Sequence, residues 1–183
     1  MSSSIMNSSA LLSLLPLILL SIGLLTLMLL IAFNRDARLS YWIGLGSLAL
    51  SFSSLFIITG TVPQQATPLL LIDGYALFFI GLILLTALLL LPLCHAYWQR
   101  QTQLGEEFYL LYLLAVLGAQ VLVCSSHFAG FFLGLELLTL PLIVLIGYPF
   151  YRTYSASLEA AIKYLILSAA ASATLPFGMA LLY

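Results

Sequence analysis

The chain has 183 residues; 63% are hydrophobic, 6% are charged, and the net charge is −1 at pH 7. A soluble globular domain carries about 25% charged residues, so the composition excludes that class and leaves an integral membrane protein. No basic patch with interleaved aromatics is present, which leaves nucleic-acid binding without support. Two cysteines, Cys94 and Cys124, are too few for a disulfide framework or an all-cysteine metal site.

Apolar runs long enough to span a bilayer follow one another along the chain. The first predicted helix covers 10–33. No basic residue precedes it and it is too long for a signal-peptide core, so it is read as a retained span. Pro16 lies near its start, where proline is tolerated. The second covers 40–59 and opens with the interfacial aromatics Tyr41 and Trp42. Residues 60–73 hold two prolines and two glutamines and are read as a loop. The third helix covers 74–98, with Asp73 as its expected cap and Tyr97 and Trp98 as anchors at its far end. The fourth covers 106–124 and has Glu106 and Glu107 in its first turn, where the helix dipole favours them. Ser125 and Ser126 lead into the fifth, 127–150, which Ser126 is expected to cap. The sixth covers 158–183. The expected fold is therefore an all-α integral membrane domain, single over 1–183, with six transmembrane helices.

The predicted loops after helices one, three and five hold Arg35, Arg38, Arg100 and Arg152, whereas the N-terminus and the other two loops hold no Lys or Arg. By the positive-inside rule both termini lie outside the cytoplasm.

Two charged residues fall inside predicted spans and away from their ends: Glu136 and Lys163. A charged side chain at a helix centre costs ~2.5–3.5 kcal/mol on insertion scales, so it usually faces protein or water and marks a functional site. The alternative is a neutral Glu136 that ties two helices together. Pro141 cannot donate to the carbonyl of Leu137, and this freed carbonyl is expected to make a polar pocket with Glu136. Lys163 has Glu159 four residues before it, on the same face and in the favourable order. It is either a station near Glu136 or a lysine snorkelling to the interface. By helical rise Glu136 lies ~16–21 Å from the arginine-rich side and Lys163 ~9 Å, too far apart for a direct bridge. His127 is expected on the opposite face of the fifth helix from Glu136. Small residues at 168–174 are read as a packing face, and Pro176 is expected to bend the last turns. Cys94–His95 and Cys124–His127 have ligand-like spacing but fall at opposite membrane faces, so no metal site is expected. No nucleotide loop, flavin motif, iron–sulfur motif or Ser/His/Asp set is present.

Several stretches resemble a known family: DGYA at 73–76, EFY at 107–109, HFAGFFLGLELLTLPL at 127–142, GY at 147–148 and SLEAAIKYLILSAAASATLPFGMALLY at 157–183. The chain resembles the first six helices of the subunit N family of bacterial NADH–quinone oxidoreductase, respiratory complex I. Glu-Ala-x-x-Lys-Tyr, here Glu159 to Tyr164, with the small-residue run after it, is the most specific match. Pro149 and Pro176 depart from the family pattern. The resemblance implies a proton-translocating membrane subunit of this translocase. Glu136 matches an essential station of its proton path, and Lys163 a polar intramembrane residue near it. NADH, FMN, iron–sulfur clusters and quinone would be handled by other subunits, with no cofactor on this chain. It further implies partners among the other complex I membrane subunits and the lipid bilayer, in a bacterial inner membrane with the N-terminus periplasmic. The family's later helices, with the usual partner of the fifth-helix acid, are absent from this sequence. Rival readings are a cation/proton antiporter or membrane-hydrogenase subunit of the same superfamily, and a truncated scaffold that does not pump.

Overall fold

The computed structural model describes residues 8–33, 35–58, 64–99, 105–148 and 156–182. The side chain of Trp98, and Arg100, Pro149, Arg152 and Tyr183, lie outside what is described. Among the described residues the elements run α1 (Ser8–Ser13), α2 (Leu15–Phe33), α3 (Ala37–Ile58), β1 (Gln64–Thr67), β2 (Leu70–Ile72), α4 (Gly74–Gln99), α5 (Glu107–Cys124), α6 (Phe128–Gly147) and α7 (Ala156–Leu182). Six of the helices, α2 to α7, are long and apolar enough to cross a membrane. The protein is a multi-pass membrane protein.

Two elements differ from the sequence expectation. The first predicted helix is broken at Leu14 into α1 and α2, because Pro16 removes the N–H that residue 12 would need and its ring crowds that turn. The predicted loop at 60–73 contains an antiparallel hairpin, with Gln64 opposite Ile72 and Gln65 opposite Leu71. Pro68 fits the turn between its strands by fixing φ, and the Thr67 hydroxyl accepts the Leu70 N–H at 3.0 Å. Alternation in a strand this short is too brief to stand out among apolar neighbours.

The bundle has two ends. At the hairpin end, β2 lies over the α5–α6 connection: Ser126 N–H donates to Leu69 O at 2.9 Å, and Leu70 bridges Ser125. Asp73 caps α4 as expected, accepting the Ala76 N–H at 2.7 Å. The cap of α6 is His127 rather than Ser126; its Nδ1 accepts the Ala129 N–H at 3.2 Å. At the arginine end, Tyr41 of α3 stacks on His95 of α4, with ring centroids 4.0 Å apart. His95 Nδ1 is hydrogen-bonded at 2.5 Å to the hydroxyl of the fully buried Tyr109 on α5. The core between these ends is built from Leu20, Leu27, Leu48, Ile80, Leu84, Leu91 and Leu113.

Candidate proton site

Glu136 stands in the ninth position of the twenty-residue α6, so the chain carries it to mid-span. It is partly buried. Among the described residues no hydrogen bond or ion pair reaches its carboxylate; the Thr139 hydroxyl donates to its backbone carbonyl at 3.3 Å. The residues of α6 that are buried are Gly130, Gly134 and Pro141, and they form one stripe at the spacing of a helix face. Glu136 is roughly 200° round the helix from Gly134. It therefore points away from α5, on the side that α2 to α5 do not cover.

That geometry changes the expected polar pocket. Pro141 is on the buried stripe, and the carbonyl carbon of Leu137 lies under Gly118 of α5: a Cβ on Gly118 would sit 2.6 Å from it and 2.5 Å from Leu138 N. The carbonyl freed by Pro141 is thus on the α5 side and the Glu136 carboxylate on the other. They do not share a pocket, because the proline that frees the carbonyl is itself part of the packing face.

Lys163 and Glu159 form an i,i+4 ion pair at 2.5 Å, and both side chains are well exposed. The half-buried and buried residues of α7 are Ser157, Ala161, Tyr164, Ser168, Ser172, Leu175 and Met179, a stripe three or four residues apart that faces α6. Lys163 is off this stripe. A Cβ on Gly147 would lie 3.3 Å from Ala161 Cβ, which sets the level of α7 against α6. From that contact Lys163 rises ~3 Å and Glu136 ~16 Å, so the two are ~13 Å apart in height. The structure brings Lys163 to Glu159 and not to Glu136. His127 is at the hairpin end of α6, ~13 Å from Glu136, where it is a cap. Helix α7 runs on through Pro176 to Leu182. Ser168 and Ser172 are on the α6-facing stripe, while Ala169, Ala170, Ala171 and Ala173 are exposed.

Residues 125–183, the segment that holds both Glu136 and Lys163, match the family described as NADH:quinone oxidoreductase/Mrp antiporter, TM. Over 178 residues, 97% of its length, the chain is 46% identical to NADH-quinone oxidoreductase subunit N of Methylococcus capsulatus (strain ATCC 33009 / NCIMB 11132 / Bath). This chain is a homologue of subunit N. Its fold also matches a chain of respiratory complex I from Thermus thermophilus with bound aureothin, at a TM-score of 0.77 and 32% identity over 92% of this chain. The chain spans 36% of the length of each of these relatives.

Other features of this subunit N homologue were not read from the sequence. The spacing Gly130-x-x-x-Gly134 was their most legible signal, since small residues four apart let helix backbones meet. A Cβ on Gly134 would lie 2.7 Å from Leu122 N and 2.8 Å from Leu122 Cα. The His95–Tyr109 pair had no signal, because nothing in the sequence brings residues on α4 and α5 to one level. Gln120 is fully buried on α5, and among the described residues neither atom of its amide has a hydrogen-bond partner. Beyond the spans, Tyr148 at the end of α6 sits by Glu107 and Gly105. Burial pushes its phenol above the ordinary value; the Glu107 carboxylate adds to this, the hydrogen bond with the Gly105 backbone opposes it, and Glu106 adds again. Arg35 approaches Glu107 at 3.9 Å on the surface. Among the described residues no group of three or more His, Cys, Asp or Glu forms a metal cluster.

Proposed function

We propose that this chain is a proton-translocating membrane subunit of an NADH:quinone oxidoreductase, or part of one, and that Glu136 is its proton-carrying group. The observation that carries the reading is a single acid held at mid-span of α6, on the side away from the packed core. It lies within the segment that matches the antiporter-like family. Electrons would be handled elsewhere in the assembly, by NADH, FMN, iron–sulfur clusters and quinone on other subunits. Their effect on this chain would be electrostatic: a nearby charge that comes or goes alters whether Glu136 holds its proton. Lys163, held by Glu159, would be a second charged station or an anchor beside that path. The chain would form one membrane domain in a bacterial inner membrane, N-terminus periplasmic. Its partners would be the other membrane subunits of the same complex and the lipid bilayer.

Glu136→Gln in the assembled complex is the test. The amide keeps the shape and cannot carry a proton. Vesicle acidification per electron delivered is expected to fall, while artificial-acceptor NADH oxidation continues. Unchanged acidification per electron would overturn the assignment. The family description spans both oxidoreductase and antiporter, which keeps a cation/proton antiporter subunit as the second reading. Sodium-driven proton uptake without NADH would favour it.

A further inference from the structure

The contact between α5 and α6 is made backbone to backbone at two levels that bracket Glu136. On one side of it along the chain, Gly134 lies against the N and Cα of Leu122; on the other, Gly118 lies against the Leu137–Leu138 peptide. No side chain intervenes in either contact. The atoms a methyl would strike are main chain, so no rotamer change relieves the clash. A contact of 2.5 Å has to open by roughly 1 Å to reach ordinary carbon–carbon separation. Because Glu136 is on the opposite side of α6 from both contacts, that displacement is passed directly to the carboxylate. The Gly118 contact also falls on the turn where Pro141 has removed a helical hydrogen bond, the place where α6 has least stiffness of its own.

From these contacts we infer that Gly118 and Gly134 are positioning residues for proton transfer at Glu136. They fix how far the acid projects from the packed core toward whatever it exchanges protons with. The inference rests on the reading of Glu136 as the proton carrier. Neither glycine touches the proton. Each sets the distance over which it moves, and displacement by an ångström at a reacting group costs up to about a hundredfold in rate.

The test compares equal packing insults at two places. Gly23 on α2 is as tightly opposed as Gly118, by the Ser47 side chain on α3, and is in a helix pair that does not include α6. Gly118→Ala and Gly23→Ala are made in the assembled complex. NADH:quinone turnover and acidification per electron are measured across pH. Gly118→Ala is expected to slow proton-coupled turnover roughly tenfold or more and to move the pH profile. Gly23→Ala is expected to lower assembly yield at most, leaving acidification per electron and the profile in place. Infrared difference spectroscopy supplies a readout that does not need turnover: the carboxyl band that Glu136→Gln removes should shift in Gly118→Ala and stay put in Gly23→Ala. Should Gly118→Ala fail to assemble, Gly134→Ala is read the same way. Glycine variants at 118 or 134 with a wild-type band and profile would overturn the inference while Glu136→Gln still abolished pumping. If Glu136→Gln pumps normally, it is the proton-carrier reading that fails.

Discussion

Helices α5 and α7 are both apolar enough to cross a membrane, yet α5 buries eight residues, whereas among the described residues of α7 Ala161 alone is buried. In water such a difference would show in the sequence as an amphipathic stripe. Here it does not, because lipid tails are as apolar as leucine and burial against protein replaces burial against lipid at little cost or gain. What sets α5 apart is the small set of residues that lipid cannot accommodate or that allow close approach: Tyr109 bonded to His95, Gly118 against α6, and Gln120 in the core. Among the described elements, helix α7 meets only α6 closely, and it turns Lys163 and a row of large apolar residues outward.

The comparison breaks most easily at the core. Leu113 is fully buried on α5 and Leu167 is 70% exposed on α7. Leu113→Ala is expected to destabilise the chain in detergent by about 1–3 kcal/mol, below the range for soluble cores because no water contact is regained on unfolding. Leu167→Ala should fall within about 0.5 kcal/mol. Thermal unfolding of both variants checks the pair, and equal effects would mean that α7 is packed like α5.

A smaller effect sharpens the polar side of the contrast. Tyr109→Phe removes the bond to His95 and is expected to cost about 1 kcal/mol. Gln120→Leu removes an amide that has no partner among the described residues and should leave stability unchanged or raise it. A marked loss with Gln120→Leu would mean that the amide is satisfied within the bundle.

The smallest effect is at the arginine end. The Tyr148 phenol is held above its ordinary value by burial and by Glu107. It binds its proton more tightly in the folded chain, so its contribution to stability is complete below the ordinary tyrosine value near 10. That contribution is lost as pH rises from there through the raised value. The 295 nm absorbance titration of wild type against Tyr148→Phe isolates this phenol, and an ordinary midpoint would contradict the packing drawn for it.

The sequence alone determined that this is a membrane protein, where its long apolar helices lie to within a few residues, and that Glu136 and Lys163 are the charged residues within predicted spans and away from their ends. These follow from composition and length, because the cost of a charge in hydrocarbon does not depend on how the helices pack. Only the tertiary structure decided the hairpin over the α5–α6 turn, the separation of the Leu137 carbonyl from Glu136, the turning of Lys163 away from α6, and the glycine contacts behind the acid. Each of those depends on which face of one helix meets which face of another. A sequence apolar on every side leaves that choice to shape and to a few polar bonds between distant residues.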